Sequence, residues 1–374
     1  MKKYLKYKRS KIILLLPLSY LLTFLAKKNS TLIENIFSKN IYKWISQIIS
    51  TITGIFPFSV AEVMSWILFV LVVVVSVRYI IDVFMEENEE KKIEKERKGF
   101  LNVLCSASVI VFLFVILAGL NYYRYPFINY MNIELQDSTI QELSDLTKSL
   151  TLQADELRKQ IPKTDEGGVF QLSESNYELA EITDHAFTLL SEKYPILKGS
   201  YGKAKPVIFS KVMSKTEITG IFFPFTMEAN VNVDISDYTI PSTMLHELAH
   251  LRGFMREDEA NYLSYLAGIN SDNIELQYSS TMLALITAGN ALYSQNAQMY
   301  YTNRELYSDG VVKDIVANSK YWEQYDDTVI SNTTDKINDT YLKANNQTDG
   351  VKSYGRMLDI LLAQYRAEKK NKLE

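Results

Sequence analysis

Val63 to Phe84 is an almost uninterrupted run of Leu, Val, Ile and aromatic side chains, and Phe100 to Leu120 is another. A helix of about 20 apolar residues matches the roughly 30 Å hydrocarbon core of a bilayer. Because a helix also satisfies its own backbone hydrogen bonds in lipid, both runs are expected to span a membrane. A shorter run, Ile12 to Ala26, follows the basic residues Lys2, Lys3, Lys6, Lys8, Arg9 and Lys11 and is closed by Lys27 and Lys28. It falls within the length of a signal-peptide core, but Leu25-Ala26-Lys27-Lys28 lacks an A-x-A-like cleavage site. Tyr20 and the flanking lysines suit anchoring at the two interfaces, so this run is read as an uncleaved span. Three spans, 12–26, 63–84 and 100–120, are expected.

Orientation follows from the positive charges. The N-terminal segment is basic, and the loop Glu86 to Gly99 carries Lys91, Lys92, Lys95, Arg97 and Lys98. Placing both in the cytoplasm puts the long C-terminal part outside a bacterial cytoplasmic membrane. Between the first two spans, residues 32–56 place Ile33, Ile36, Phe37, Ile41, Trp44, Ile45, Ile48 and Ile49 at helical spacing. This segment reads as an amphipathic helix lying in the outer interface with Lys39, Lys43 and Gln47 toward water. A fourth span is the competing reading, disfavoured by the interspersed charges.

The single cysteine, Cys105, lies in the third run and has no partner for an intramolecular disulfide. Net charge is −4 and no basic cluster follows the third span, so nothing points to nucleic acid. From Asn121 the composition is that of a soluble domain, giving a membrane region, 1–121, and an exterior domain, 122–374. Ile133 to Ile161, Tyr177 to Tyr194, Ser279 to Tyr293 and Met357 to Glu368 read as helices, and Lys205 to Phe209, Ile218 to Phe225 and Asn230 to Ile235 as strands. The expected fold is a membrane-anchored, mainly α protein with a small antiparallel sheet packed on a central helix.

That central helix carries His246-Glu247-Leu248-Ala249-His250 in a chain with one other histidine, His185. Residues four apart share a helical face, so both imidazoles reach one Zn²⁺ while Glu247 is aimed at the attacking water. A catalytic zinc keeps three protein ligands and leaves a position for water, whose proton Glu247 would accept. Gly253 lets the chain turn back, and Glu257 then supplies the third ligand from the first turn of a second helix. Glu259 is the alternative; Glu257 is favoured because it alone has a polar residue, Asn261, at i+4. Asn261 would hydrogen-bond a ligand imidazole and fix its tautomer. His185 lies alone on an amphipathic helix and is read as structural. In zinc peptidases of this general type an edge strand pairs with the extended substrate, and Glu228, Ala229, Asn230, Val231 and Asn232 are the candidate for it.

Gly220 to Asn230 (GIFFPFTMEAN), HELAHLRGF, REDEAN and Tyr341 to Leu358 (YLKANNQTDGVKSYGRML) resemble the bacterial membrane proteins grouped as domain-of-unknown-function family 3810. The resemblance covers nearly the whole chain and implies a zincin-like exterior domain, but it supplies no substrate. More distantly, Glu257 to Asn261 looks like the E-x-x-A-D segment of gluzincin peptidases, whose first Glu is a zinc ligand; here Asn261 stands for the usual Asp. Gluzincins commonly stabilise the oxyanion with a Tyr or His, a role for which Tyr341, Tyr354 and Arg356 are candidates. The expected activity is zinc-dependent hydrolysis of an extended polypeptide outside the membrane. A catalytically silent zinc-binding sensor or assembly protein is the alternative.

Overall fold

The computed structural model describes residues 7–131, 133–326, 329–345 and 357–371. Among the described residues, three helices are long and apolar enough to cross a membrane: Lys8–Lys28, Val60–Phe84 and Glu89–Leu117. The first is a 3-10 stretch, Lys8–Leu14, running into α1 (Leu15–Lys28). It is followed by a single turn, α2 (Ser30–Leu32), a π-helical stretch (Ile33–Tyr42), α3 (Lys43–Gly54), α4 (Val60–Phe84) and α5 (Glu89–Leu117). α1 packs along α5, whose inner face buries Leu101, Cys105, Ser108 and Val115.

α5 begins at Glu89 rather than at Phe100, so most of the expected cytoplasmic loop is helix. The Asn88 side chain caps it by accepting the Lys91 N–H, and the Glu and Lys residues that follow are good helix formers. Lys98 pairs with Glu94 one turn away, at 3.1 Å. The helix ends at Leu117, and a buried 3-10 turn, Gly119–Tyr123, carries the chain on.

The segment between the first two of these apolar helices is helical and amphipathic, but its polar face, expected in water, packs on protein instead. Leu32, Ile36, Trp44, Ile48 and Ile52 are exposed, while Glu34, Ser38, Tyr42, Ser46 and Ser50 are buried against the C-terminal part. Gln47, expected in water, accepts the Ser200 N–H at 2.8 Å. The burial of the polar face follows from Glu34, whose fully buried carboxylate takes two hydrogen bonds from Arg124, at 2.9 and 3.0 Å, and others from Tyr125 N–H and Tyr130. A buried carboxylate needs that many partners, and only the C-terminal side supplies them.

The rest of the chain is α6 (Ile140–Lys159), α7 (Asn176–Lys193), β1 (Lys205–Pro206), α8 (Ser210–Lys215), β2 (Gly220–Phe223), β3 (Glu228–Val231), α9 (Ile240–Leu251), α10 (Glu257–Ile269), α11 (Ile274–Gln295), α12 (Ala297–Arg304), α13 (Asp309–Glu323), α14 (Val329–Ala344) and α15 (Met357–Asn371). α9, α10 and α11 form the centre. They approach closely through small residues: Ser264 Oγ donates to Ser242 O at 2.6 Å, Ser280 Oγ to Ser264 O at 3.1 Å, and Gly268 leaves no room for a Cβ beside Ser280. Phe127, Phe187, Phe254, Tyr262 and Tyr278 fill the core, which also includes Ile33, Phe37 and Tyr42.

The sheet is mixed, not antiparallel. Its order is β1-β3-β2, with β2 antiparallel to β3 and β1 parallel to it. β3 is thus the central strand, buried throughout, and its backbone is already paired on both sides. Its side chains are also committed. The Glu228 carboxylate accepts the Val60 and Ala61 N–H groups at 3.0 and 2.6 Å and the Lys205 ammonium at 2.5 Å, while Ser59 donates to Asn230 at 2.6 Å. Asn232 donates to Ser214 and to the Ile218 carbonyl. Glu228 and Asn230 therefore fasten the start of α4 to the sheet, and Glu228 to Asn232 are not a free substrate edge; the edge without a partner strand among the described residues belongs to β2.

Candidate active site

α9 starts with a proline in its first turn, where the missing N–H costs nothing, and buries Met244, Leu245, Leu248 and Ala249. It stops at Gly253, whose φ of 89° is open to glycine but strained for other residues. The Gly253 N–H returns to His250 O at 2.8 Å and the Phe254 N–H to Ala249 O at 3.2 Å, the paired bonds of a Schellman turn. From the other side, the Tyr42 hydroxyl reaches the end carbonyls of His250 and Leu251 at 3.2 and 3.3 Å.

This turn sets the imidazoles. Phe254 O lies 2.8 Å from His250 Nδ1, and Asn261 Oδ1 lies 2.8 Å from His246 Nδ1. Both oxygens only accept, so each ring carries its proton on Nδ1 and turns the Nε2 lone pair inward. The two Nε2 atoms stand 3.0 Å apart, and the Glu257 carboxylate approaches them at 3.1 and 3.6 Å. Three acceptors facing one another are repulsive unless a cation sits among them. Two neutral imidazoles and a carboxylate are a donor set that fits a divalent transition-metal ion such as zinc. Glu259 is turned away, bound to Arg256 and to the Phe127 N–H.

The electrostatics agree with that reading. Burial opposes charge on His250, but the Glu257 and Glu247 carboxylates outweigh it and push its pKa up to about 9. The metal-free cluster therefore takes a proton where a metal would take its place. Burial would raise Glu257 too, yet the two imidazoles overcome it and hold this carboxyl well below the usual range. Glu247 is different: burial dominates and raises it, and its Oε2 has no hydrogen-bond partner among the described residues. Gly220 leaves no room for a Cβ next to this carboxylate, so β2 lies directly on it.

A cavity of about 560 Å³ opens over the cluster, with His246, Glu247, His250, Glu257 and Asn261 on its floor and Gly220 to Phe223 of β2 along one wall. Phe114 and Ala118, from the end of α5, form part of another wall. Tyr341 of α14 also lines the cavity, its hydroxyl 3.0 Å from that of Tyr122. Loss of water around its hydroxyl in the cavity, together with the charges of Glu257 and Glu247, pushes Tyr341 up to about 12 although the residue is partly exposed, so it is a hydrogen-bond donor at neutral pH. Tyr354 and Arg356 lie outside the described residues. His185 is exposed on α7, and Glu228 to Asn232 do not line the cavity.

Four contributors escape a reading of the sequence. Phe254 acts through its carbonyl, which any residue would offer, and Gly220 through the absence of a side chain. Tyr42 and Tyr122 sit far from the motif in sequence and differ in no visible way from other tyrosines.

Fold and site together define a mainly helical protein with three helices apolar enough to cross a membrane and an HExxH helix set against a small mixed sheet. The chain belongs to the family described as protein of unknown function DUF3810, whose model matches residues 37–362. No curated protein and no solved structure matches it.

Proposed function

We propose that the protein is a membrane-anchored zinc metallopeptidase with a zincin-like fold, hydrolysing an extended polypeptide on the outer side of a bacterial cytoplasmic membrane. His246, His250 and Glu257 would hold the metal. A zinc ion so held supplies Lewis-acid polarisation of the substrate carbonyl and lowers the pKa of water.

The observation that carries the proposal is Glu247. A buried carboxylate with an unpartnered oxygen beside the cluster costs stability, and general-base catalysis is the task such a group is suited to. The outer edge of β2 has no partner strand among the described residues, its Phe222 N–H meeting the Glu247 carboxylate, and an extended peptide can add there as a further strand. Tyr341, held by Tyr122, would donate to the oxyanion as the carbonyl carbon becomes tetrahedral. The basic residues before Ile12 and between α4 and α5 support the outward placement of the cavity.

The test is digestion of a broad peptide library by the full-length protein in nanodiscs at matched zinc content. Glu247→Gln preserves size but cannot accept a proton. It should lower the rate by about 10² to 10⁴-fold while fold and zinc content stay unchanged. No cleavage by the wild type, or equal cleavage by both proteins, would move the reading to a silent zinc-binding sensor.

A further inference from the structure

A second cleft, of about 430 Å³, lies between the π-helical stretch and the C-terminal part and shares no lining residue with the cavity over the histidines. Four cations line it: Lys39, Lys43, Arg124 and Arg252. Two carboxylates oppose them, and each is committed to an arginine, Glu34 to Arg124 at 2.9 Å and Asp184 to Arg252 at 3.2 Å. Positive charge is therefore in excess. The Lys43 ammonium has no ion-pair or hydrogen-bond partner among the described residues, and the Lys39 ammonium has weak ones, the Glu34 carboxylate at 3.9 Å, the Asn35 amide oxygen at 3.5 Å and the Tyr130 ring.

The Arg252 side chain is 2% exposed, and its Nε is buried without a hydrogen-bond partner among the described residues. A concave site that gathers like charges and strands a buried donor is destabilising when empty. Burial and the nearby Lys198 lower the pKa of Lys43, as expected of an ammonium that lacks its anion.

The surroundings identify which anion. Lys39 and Lys43 belong to the same helical segment as Ile36, Trp44 and Ile48, which are exposed and form an apolar stripe beside the cleft. This is the pattern of an interfacial helix, and Trp44 is of the type that settles at headgroup level. We infer that the cleft binds the phosphate of an anionic phospholipid through Lys39, Lys43 and Arg252, with the acyl chains lying along Ile36, Trp44 and Ile48. A soluble phosphate shares the headgroup chemistry but has no use for the stripe. Basic clefts beside membrane helices are suited to this recognition.

The experiment is native mass spectrometry of the full-length protein in detergent, titrated separately with phosphatidylglycerol, phosphatidylcholine and inorganic phosphate. The wild type should retain phosphatidylglycerol saturably and prefer it over phosphatidylcholine. Lys39→Gln/Lys43→Gln should weaken that retention by about tenfold or more, because each lysine near a phosphate contributes to it. Neither lysine is buried, so the double variant should melt like the wild type. Lys91→Gln/Lys148→Gln, which removes the same charge elsewhere, should leave retention unchanged. Equal loss in both double variants, no loss in either, or equal retention of the two lipids would overturn the assignment. Inorganic phosphate binding as tightly as phosphatidylglycerol would assign the cleft to a soluble anion and overturn the lipid reading.

Discussion

Replacing Glu228 by alanine removes the acceptor that joins the start of α4 to the sheet. Its carboxylate serves the Val60 and Ala61 N–H groups and the Lys205 ammonium, whose side chain is 7% exposed. Removing one partner of a buried ion pair costs about 3 to 5 kcal/mol, mainly from the charge left behind. Lys205 retains the Thr53 and Phe58 carbonyls at 2.7 and 3.0 Å, which argues for the lower end, about 3 kcal/mol. Loss of the anion at the start of α4 adds about 1 kcal/mol. The total is a large fraction of the roughly 5 to 15 kcal/mol that holds an ordinary domain folded. Lys205→Met together with Glu228→Gln should cost clearly less than the two single changes combined, by about 2 kcal/mol, because neither charge is then stranded. Steric-trap or detergent-titration unfolding in bicelles, on the full chain at fixed zinc content, measures all four corners of the cycle. An alanine variant within about 1 kcal/mol of wild type, or strictly additive changes, would refute the anchor. If such a variant also changed peptide preference, Glu228 would return to the substrate.

Glu257→Ala should abolish stoichiometric zinc in metal analysis, whereas Glu259→Ala should keep zinc and lose stability, because it strands Arg256 and the Phe127 N–H. The reverse outcome would exchange the ligand. The His250 pKa is raised, from its ordinary 6.5 to about 9. In the metal-free protein the stabilisation from its proton is therefore complete below pH 6.5 and is lost as pH rises through 9. Zinc binding at pH 7.5 should accordingly release about one proton, seen as a calorimetric enthalpy that varies with the ionisation enthalpy of the buffer, and should release almost none well above pH 9. Tyr42→Phe should destabilise the fold by about 1 to 3 kcal/mol, since the hydroxyl shared by the buried Leu251 and His250 carbonyls is lost and only His250 O keeps the Gly253 N–H, and thermal melting of matched samples would show no change if that brace is idle.

Much of the site could be read from the chain because it is local. The i, i+4 histidines, the glycine that turns the helix and the carboxylate of the next first turn lie within twelve residues, and helix geometry alone brings them together. The same locality made the three apolar helices plain. Strand order was not legible: the Asn-Val-Asn-Val alternation marks a strand, but whether it is central depends on Lys205 and Pro206 pairing beside it, a contact between distant segments. The helix expected from Ile133 begins at Ile140, where Thr139 and Glu142 form a capping box that was present in the sequence as T-x-x-E. The amphipathic segment between the first two apolar helices shows a different limit. Its periodicity was right, but which face meets protein was decided by Glu34 and Arg124, 90 residues apart.

The brace from Tyr42 to the end of the HExxH helix has a consequence for how such a protein can be deployed. Many surface proteins are released by cutting the stalk between anchor and head, and the freed head keeps working. Here the piece 122–374 would leave behind the hydroxyl that caps the histidine helix, the Glu34 that neutralises Arg124 and the Phe114 wall of the cavity. Shedding would therefore dismantle the site, because the geometry of the HExxH helix depends on residues contributed by the apolar helical region itself.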